Sequence, residues 1–350
     1  MDHEFLIQCR QGFEKDLAAE LAAWGSKKNF ASFTRTVEDK GYVFFKGSAF
    51  PFPLQESVFA RQMMKVSETL SSLPEKNKLD PILEAIEKDQ SFQGVLCESL
   101  LVNGPKGIQD FSKKFERVLE KALHTSGQIS RDPQLPTLHV FFLDYEQAVV
   151  GCGLKNYCSR ERNGILRLRR SSDAPSRSSL KLEEAFRILF PEHKLEKHEN
   201  SESLPIAVDL GAAPGGWTYE LVKRNYLVYS VDNGPMNPKL MQSGRVSHEA
   251  TDAFHYRPPE KVDLLVCDIV EKPYQVSELI AKWFANNWTR RAIFNLKLPM
   301  KKRYAAVKDC IELLTQDLDC TVRCKQLFHD REEVTLFVES RHEVTGRRTK

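Results

Sequence analysis

Beyond about residue 204, short apolar runs alternate with stretches whose apolar residues recur at helical spacing. The runs rich in β-branched and aromatic residues predict strands at 206–210, 227–231, 264–267, 291–296, 321–326 and 334–338. Such alternation implies parallel pairing through helical crossovers on both faces of a sheet, the doubly wound α/β arrangement. The last two runs have no helix between them, which predicts one antiparallel edge strand. Just upstream, 171–179 is a loop by composition. It leads into a helix that carries Leu182, Ala185, Phe186 and Leu189 on one side.

The first half has a different rhythm, that of small α+β units. A strand at 5–9 precedes a helix over 12–24, with Phe13, Leu17, Leu21 and Trp24 on one face, and a strand pair follows at 30–36 and 41–46. After a loop around Leu73-Pro74-Glu75, Asp80 can cap a helix through Pro81, Leu83 and Ile86, because proline suits the first helical turn. A strand at 94–102, a helix over 106–125 and strands at 138–142 and 147–151 complete this half. No residue set in it has catalytic spacing. It suits a module that presents a substrate, and a regulatory or dimerisation domain stays open beside that.

At 350 residues there is room for two or three domains, and a net charge of +3 does not by itself announce a nucleic-acid partner. The distribution says more. Between Lys155 and Lys181 lie Arg160, Arg162, Arg167, Arg169, Arg170 and Arg177, against only Glu161 and Asp173. This run either neutralises phosphates or is a solvated linker. The first residues carry acid where a signal peptide needs base, and no apolar stretch has the length of a membrane span. The eight cysteines contain no Cys-x-x-Cys pair, and His193 and His198 have no third ligand near them in sequence. The expectation is a cytoplasmic, metal-free monomer.

Four predicted strands deliver polar residues to one crevice: Asp209 to Trp217 at the end of the first, Asp232 after the second, Asp268 after the run at 264–267, and the Asn295-Leu296-Lys297 end of the run at 291–296. Gly211 opens a tight turn, and Gly215 and Gly216 let backbone approach a ligand. Pro214 removes a backbone donor that a pyrophosphate cradle would want, and the pattern is Gly-x-x-x-Gly-Gly, so the turn suits a nucleoside without phosphate, such as S-adenosylmethionine. Asp232, about 20 residues on, can accept from both ribose hydroxyls, although it could also be a simple turn aspartate. Asp252 could accept from an adenine amino group. Asp268 and Lys297 should sit side by side, with Lys181 and Glu333 able to reach them. A neutral lysine buried there could take the proton of an attacking hydroxyl. Bringing its pKa from about 10.4 to neutrality corresponds to roughly 4 kcal/mol, favoured by desolvation and by a second cation. Asp268 and Glu333 would oppose that shift and fix geometry instead.

The stretches SDAPSRSSLKLEEAF (172–186), AVDLGAAPGGWTYELVKRN (207–225), VYSVDNGPM (228–236), VCDIVEKP (266–273), IFNLKLPMKKRY (293–304) and HDREEVT (329–335) resemble the RlmM family. These are bacterial 23S ribosomal RNA cytidine 2′-O-methyltransferases, and the resemblance runs nearly end to end. QCRQGFEKDLAAEL (8–21) and LHVFF (138–142) look like that family's ferredoxin-like and THUMP domains. The resemblance implies a ferredoxin-like domain at 1–72, an RNA-binding THUMP domain at 73–165, and a Rossmann-like methyltransferase domain at 166–350. It implies 23S ribosomal RNA as partner and a Lys-Asp-Lys-Glu tetrad of Lys181, Asp268, Lys297 and Glu333, with Lys297 as proton acceptor. S-adenosylmethionine would be held by Ser178, the Ala213-Pro214-Gly215-Gly216 turn, Asp232, Asp252 and Asp268. Strand pleating decides between Glu333 and its neighbour Glu332.

Three rivals remain at this point. A nicotinamide oxidoreductase is disfavoured by Pro214 and the glycine pattern. An exocyclic-amine methyltransferase would want an Asn/Asp-Pro-Pro-aromatic turn where this chain has Cys267-Asp268-Ile269-Val270. A non-catalytic RNA-binding protein would be indifferent to loss of Lys297.

Overall fold

The computed structural model describes residues 3–48, 51–190, 204–316 and 318–341. The connector with His193 and His198 and the basic tail at 347–350 lie outside the described residues. The chain forms two compact units, Met1–Leu166 and Arg167–Lys350.

The first unit contains strands β1 (His3–Gln8), β2 (Phe33–Val37), β3 (Tyr42–Gly47), β4 (Gln62–Leu70), β5 (Gly94–Ser99), β6 (Thr137–Phe142) and β7 (Ala148–Gly153). Its helices are α1 (Glu14–Lys28), α2 (Leu79–Glu84) and α3 (Ile108–Thr125). Acids in the first turn of α1 and lysines in its last complement the helix dipole, and Asn29 closes it in the left-handed region. The apolar stripe of α3, with Ile108, Phe115, Leu119 and Leu123, packs with Val95 and Cys97 of β5 and Leu138, Val140 and Phe142 of β6.

One strand here is absent from the sequence reading. β4 begins with three buried residues, Gln62, Met63 and Met64, and then turns polar, so it shows neither alternation nor a β-branched run. It pairs with β1 on one side and β7 on the other. The two small units expected at 1–72 and 73–165 therefore share one seven-stranded sheet, ordered β2-β3-β1-β4-β7-β6-β5.

The second unit has strands β8 (Ile206–Leu210), β9 (Leu227–Val231), β10 (Val246–Glu249), β11 (Leu264–Cys267), β12 (Arg291–Lys297), β13 (Cys320–Lys325) and β14 (Glu333–Ser340). Its helices are α4 (Ser179–Ile188), α5 (Gly216–Lys223), α6 (Pro238–Met241), α7 (Pro273–Ala285) and α8 (Arg303–Gln316). The order is β10-β9-β8-β11-β12-β14-β13, with β8 to β12 parallel. The antiparallel strand expected at the edge lies one place in: β14 is wedged between β12 and β13, antiparallel to both. Burial explains the exchange. Val334, Thr335, Leu336, Phe337 and Val338 are all buried, which demands cover on both faces. β13 exposes Thr321 and has Arg323 within it, as an outer strand tolerates.

Because β8 to β12 are parallel, their C-terminal ends share one rim, and the order reverses on either side of β8. β14 runs the other way, so its first residue reaches the same rim. Its register sets Glu333 directly opposite Lys297.

Candidate active site

The turn after β8 is built from residues that cannot be larger. Gly211 and Gly215 have φ of 78° and 110°, where side chains are disfavoured. Gly216 has ordinary dihedrals but no room: a Cβ there would stand 2.2 Å from Ser178 Oγ and 2.3 Å from Ser176 Oγ. Those two hydroxyls are 2.6 Å apart, so the loop before α4 is seated on the turn. Asp232, just past β9, accepts the N–H groups of Ala213 at 3.0 Å and Gly234 at 2.7 Å. Each oxygen takes one of these bonds, which leaves lone pairs for a ribose diol. These residues fit an adenosyl ligand.

Asp252 follows β10 and is about half exposed. It accepts from Phe254 N–H at 2.9 Å and lies 2.8 Å from His255 Nδ1. The Phe254 N–H and then His255 hold its carboxyl below the usual range. Asp209 reaches the crevice as the sequence predicts, but nothing in the sequence assigns it a role of its own. It is fully buried on β8, Thr218 donates to its Oδ2 at 2.6 Å, and Oδ1 has no hydrogen-bond partner among the described residues. Burial, only partly offset by Thr218, pushes this carboxyl up to about 7. An aspartate at the end of a strand looks like any other in sequence; only its sealed position sets it apart.

The four predicted tetrad residues meet at the rim. Lys181, on the first turn of α4, donates to Glu333 Oε2 and lies 3.4 Å from Asp268 Oδ2. Lys297 Nζ is 3.8 Å from Glu333 Oε1. Asn295, to which sequence alone assigned no role, donates to Asp268 at 3.0 Å and to Glu333 at 3.4 Å, and accepts from Thr335 at 2.8 Å. It ties the two carboxylates together through its amide, a role that its position two residues before Lys297 on the same pleat would allow.

Burial works against the charge of Lys181, but Asp268 and Glu333 outweigh it and raise its pKa. Burial also raises the Asp268 carboxyl, against the pull of Lys181. Glu332 turns away from this cluster to Arg303, at 2.8 Å, and is mostly exposed. The expectation of a buried Lys297 is corrected. Its side chain is 39 % exposed, against 16 % for Lys181. A strand-end residue at the rim has protein below it and solvent above it, so Lys297 is the open member of a largely closed set. Among the described residues no group of three or more His, Cys, Asp or Glu side chains could hold a metal ion. No helix among them is long and apolar enough to cross a membrane.

The model of the FtsJ-like methyltransferase family matches residues 174–319, and that of the RlmM ferredoxin-like domain matches residues 2–64. Ribosomal RNA large subunit methyltransferase M of Tolumonas auensis is 42 % identical over 100 % of this chain and 99 % of its own length. The chain belongs to this methyltransferase M family. Members from a Marinomonas species and from Aggregatibacter aphrophilus are 43 % and 39 % identical, over 95 % and 96 % of this chain and 98 % and 99 % of their own. As a member of the methyltransferase M family, the protein is an S-adenosylmethionine-dependent methyltransferase. The FtsJ-like match begins just before Ser176 and Ser178 and spans the glycine turn, Asp232, Asp268 and Lys297. The ferredoxin-like match ends inside β4, the strand that carries the sheet onward.

Proposed function

We propose that the protein methylates the 2′-hydroxyl of a cytidine in 23S ribosomal RNA, with Lys297 as the proton acceptor. The relatives' name supports a large-subunit ribosomal RNA substrate, and the sugar hydroxyl and cytidine follow the family resemblance. The observation that carries the mechanism is the division of labour between two lysines 3.8 Å or less from one carboxylate, Glu333. Lys181 is enclosed and doubly paired, a fixed cation. Lys297 is open toward the place where a substrate would lie.

S-adenosylmethionine, when bound, supplies a methyl group on a positively charged sulfur. Ser178, the Ala213-Pro214-Gly215-Gly216 turn, Asp232, Asp252 and Asp268 would hold it at the rim. With it bound, Lys297 Nζ, in its unprotonated form, would take the proton of the 2′-hydroxyl as that oxygen accepts the methyl group. Asp268, Asn295 and Glu333 keep both lysines in place, so the acceptor oxygen meets a preset geometry. Residues 73–165 serve as the RNA-holding THUMP domain, beside the ferredoxin-like residues 1–72, and the protein acts as a monomer.

Incorporation of tritiated methyl into 23S ribosomal RNA from cells lacking the modification tests the reaction. Wild type should label a single cytidine ribose, and Lys297→Ala should lose at least about 100-fold in rate. No incorporation by wild type, label on a base, or full incorporation by Lys297→Ala would overturn it.

A further inference from the structure

A cleft of about 570 Å³ opens beside the tetrad, with Lys181 and Glu333 in one wall and Arg170, Arg177, His329 and Arg331 in the others. Its volume is that of a pocket for a small ligand or a single nucleotide. Arg170, Arg177 and Arg331 make no ion pair among the described residues, and the one carboxylate in the lining, Glu333, is committed to Lys181. Three unpaired guanidinium groups around one cleft repel each other unless an anion joins them.

The wall that carries His329 and Arg331 is held rigidly. Glu184, buried on α4, accepts the N–H groups of Phe328 at 2.9 Å and His329 at 3.0 Å, and lies 2.7 Å from His329 Nδ1. Asp330, fully buried, accepts from Leu327 N–H at 2.9 Å and lies 3.0 Å from Thr335 Oγ1. Two buried carboxylates thus pin a loop that places His329 and Arg331 in the cleft lining. The loop runs directly into Glu333, so cleft and tetrad are parts of one framework.

We propose that this cleft is a phosphodiester subsite, in which Arg170, Arg177 and Arg331 grip the RNA backbone next to the reacting ribose. It rests on the assignment of RNA as substrate and adds the residues that seat it. Guanidinium forks match phosphate oxygens in pairs, and a 2′-oxygen is separated from its own 3′-phosphate by only the ring carbons. Holding that phosphate therefore orients the hydroxyl toward Lys297. Polar contact with phosphates carries no base information, so the subsite fixes register and leaves nucleotide choice to other surfaces.

The test is the salt dependence of RNA affinity in the full-length protein, with a 23S ribosomal RNA fragment titrated over a range of KCl. Arg177→Ala and Arg331→Ala should each weaken binding on the order of tenfold at 0.1 M salt and reduce the slope of log Kd against log [KCl] by about 0.7 to 0.9. Arg331→Lys should keep the slope and lose part of the affinity. Calorimetric affinity for S-adenosylmethionine should stay at the wild-type value in all three. Unchanged slopes in both alanine variants, with melting curves like wild type, overturn the subsite. If the slopes fall but wild type transfers no methyl, the subsite stands and the proposed reaction fails. If wild type methylates and the slopes do not move, the reaction stands and the subsite fails.

Discussion

Each unit encloses a cluster of polar side chains, and the two clusters differ in one respect that separates structure from chemistry. In the first unit, Glu98 accepts from Gln8, Gln62 and the Asn163 N–H, and pairs with His139 Nδ1 at 3.1 Å. All five residues are at most 4 % exposed. In the second unit, Lys181, Asp268, Asn295 and Glu333 are similarly interlinked, but Lys297 keeps 39 % of its side chain open. A sealed network must satisfy itself and can only hold its own strands together. A network with one open member can hand that member to a ligand. Similar residue types thus act as a staple in one place and as a candidate catalytic centre in the other.

The comparison breaks most visibly under alanine substitution. Glu98→Ala leaves a buried imidazole without its carboxylate and should cost about 3–5 kcal/mol in denaturant unfolding, with cofactor affinity unchanged. Lys297→Ala should do the opposite, losing methyl transfer at a near-normal unfolding midpoint. If Lys297→Ala unfolds the protein, or Glu98→Ala stops methyl transfer in a folded chain, the division between the clusters is lost.

Titration sharpens it. Asp209 has its carboxyl raised from 3.8 to about 7, so the folded state holds the proton more tightly than the unfolded chain. Stability is then lost as pH rises from about 4 to about 7, by up to about 4 kcal/mol. Asp209→Asn should remove that slope and gain most at pH 8, as read from melting temperatures across the range. In the first unit, burial opposes the charge of His139, but Cys158 and Glu98 outweigh it and push the imidazole from 6.5 up to about 9. Its stabilisation is complete below pH 6.5 and disappears as pH rises through about 9. Hydrogen exchange at β5 and β6 amides should therefore speed up in that higher window, and His139→Gln should abolish the effect.

Two smaller changes probe the rim. Gly216→Ala would press a methyl group on Ser176 and Ser178 and should cost about 1–3 kcal/mol, weakening S-adenosylmethionine binding in calorimetry. Normal affinity would detach those serines from the cofactor site. Glu332→Ala removes only an exposed pair with Arg303, so stability should shift by less than about 1 kcal/mol and methyl transfer should persist. Glu333→Ala should abolish it. Equal effects at the two positions would place the tetrad in the wrong register.

Much of the second unit was legible because parallel strands announce themselves. Val208, Leu264 to Val266 and Ile293 to Phe294 are buried within continuous apolar runs, and the polar residues that end those runs fall on one rim. β4 was not legible, since a strand with two methionines and a buried glutamine has no periodic signal. Asp209 and Asn295 reach the crevice as strand-end residues, yet their roles were not legible for a related reason. Their importance comes from what surrounds them, and no spacing in the chain records a neighbour dozens of residues away.

Sequence alone was enough for most strands of the second unit, though not β10, for the glycine turn, and for which acids and lysines arrive at strand ends, because period, turn chemistry and backbone sterics are local. Only the tertiary structure decided that β14 enters between β12 and β13, since that depends on which strands need cover on both faces. That choice set Glu333 opposite Lys297, turned Glu332 outward, and enclosed Lys181 while leaving Lys297 open. Burial and pairing are properties of the assembled sheet, and they give different surroundings to two lysines that the chain spells identically.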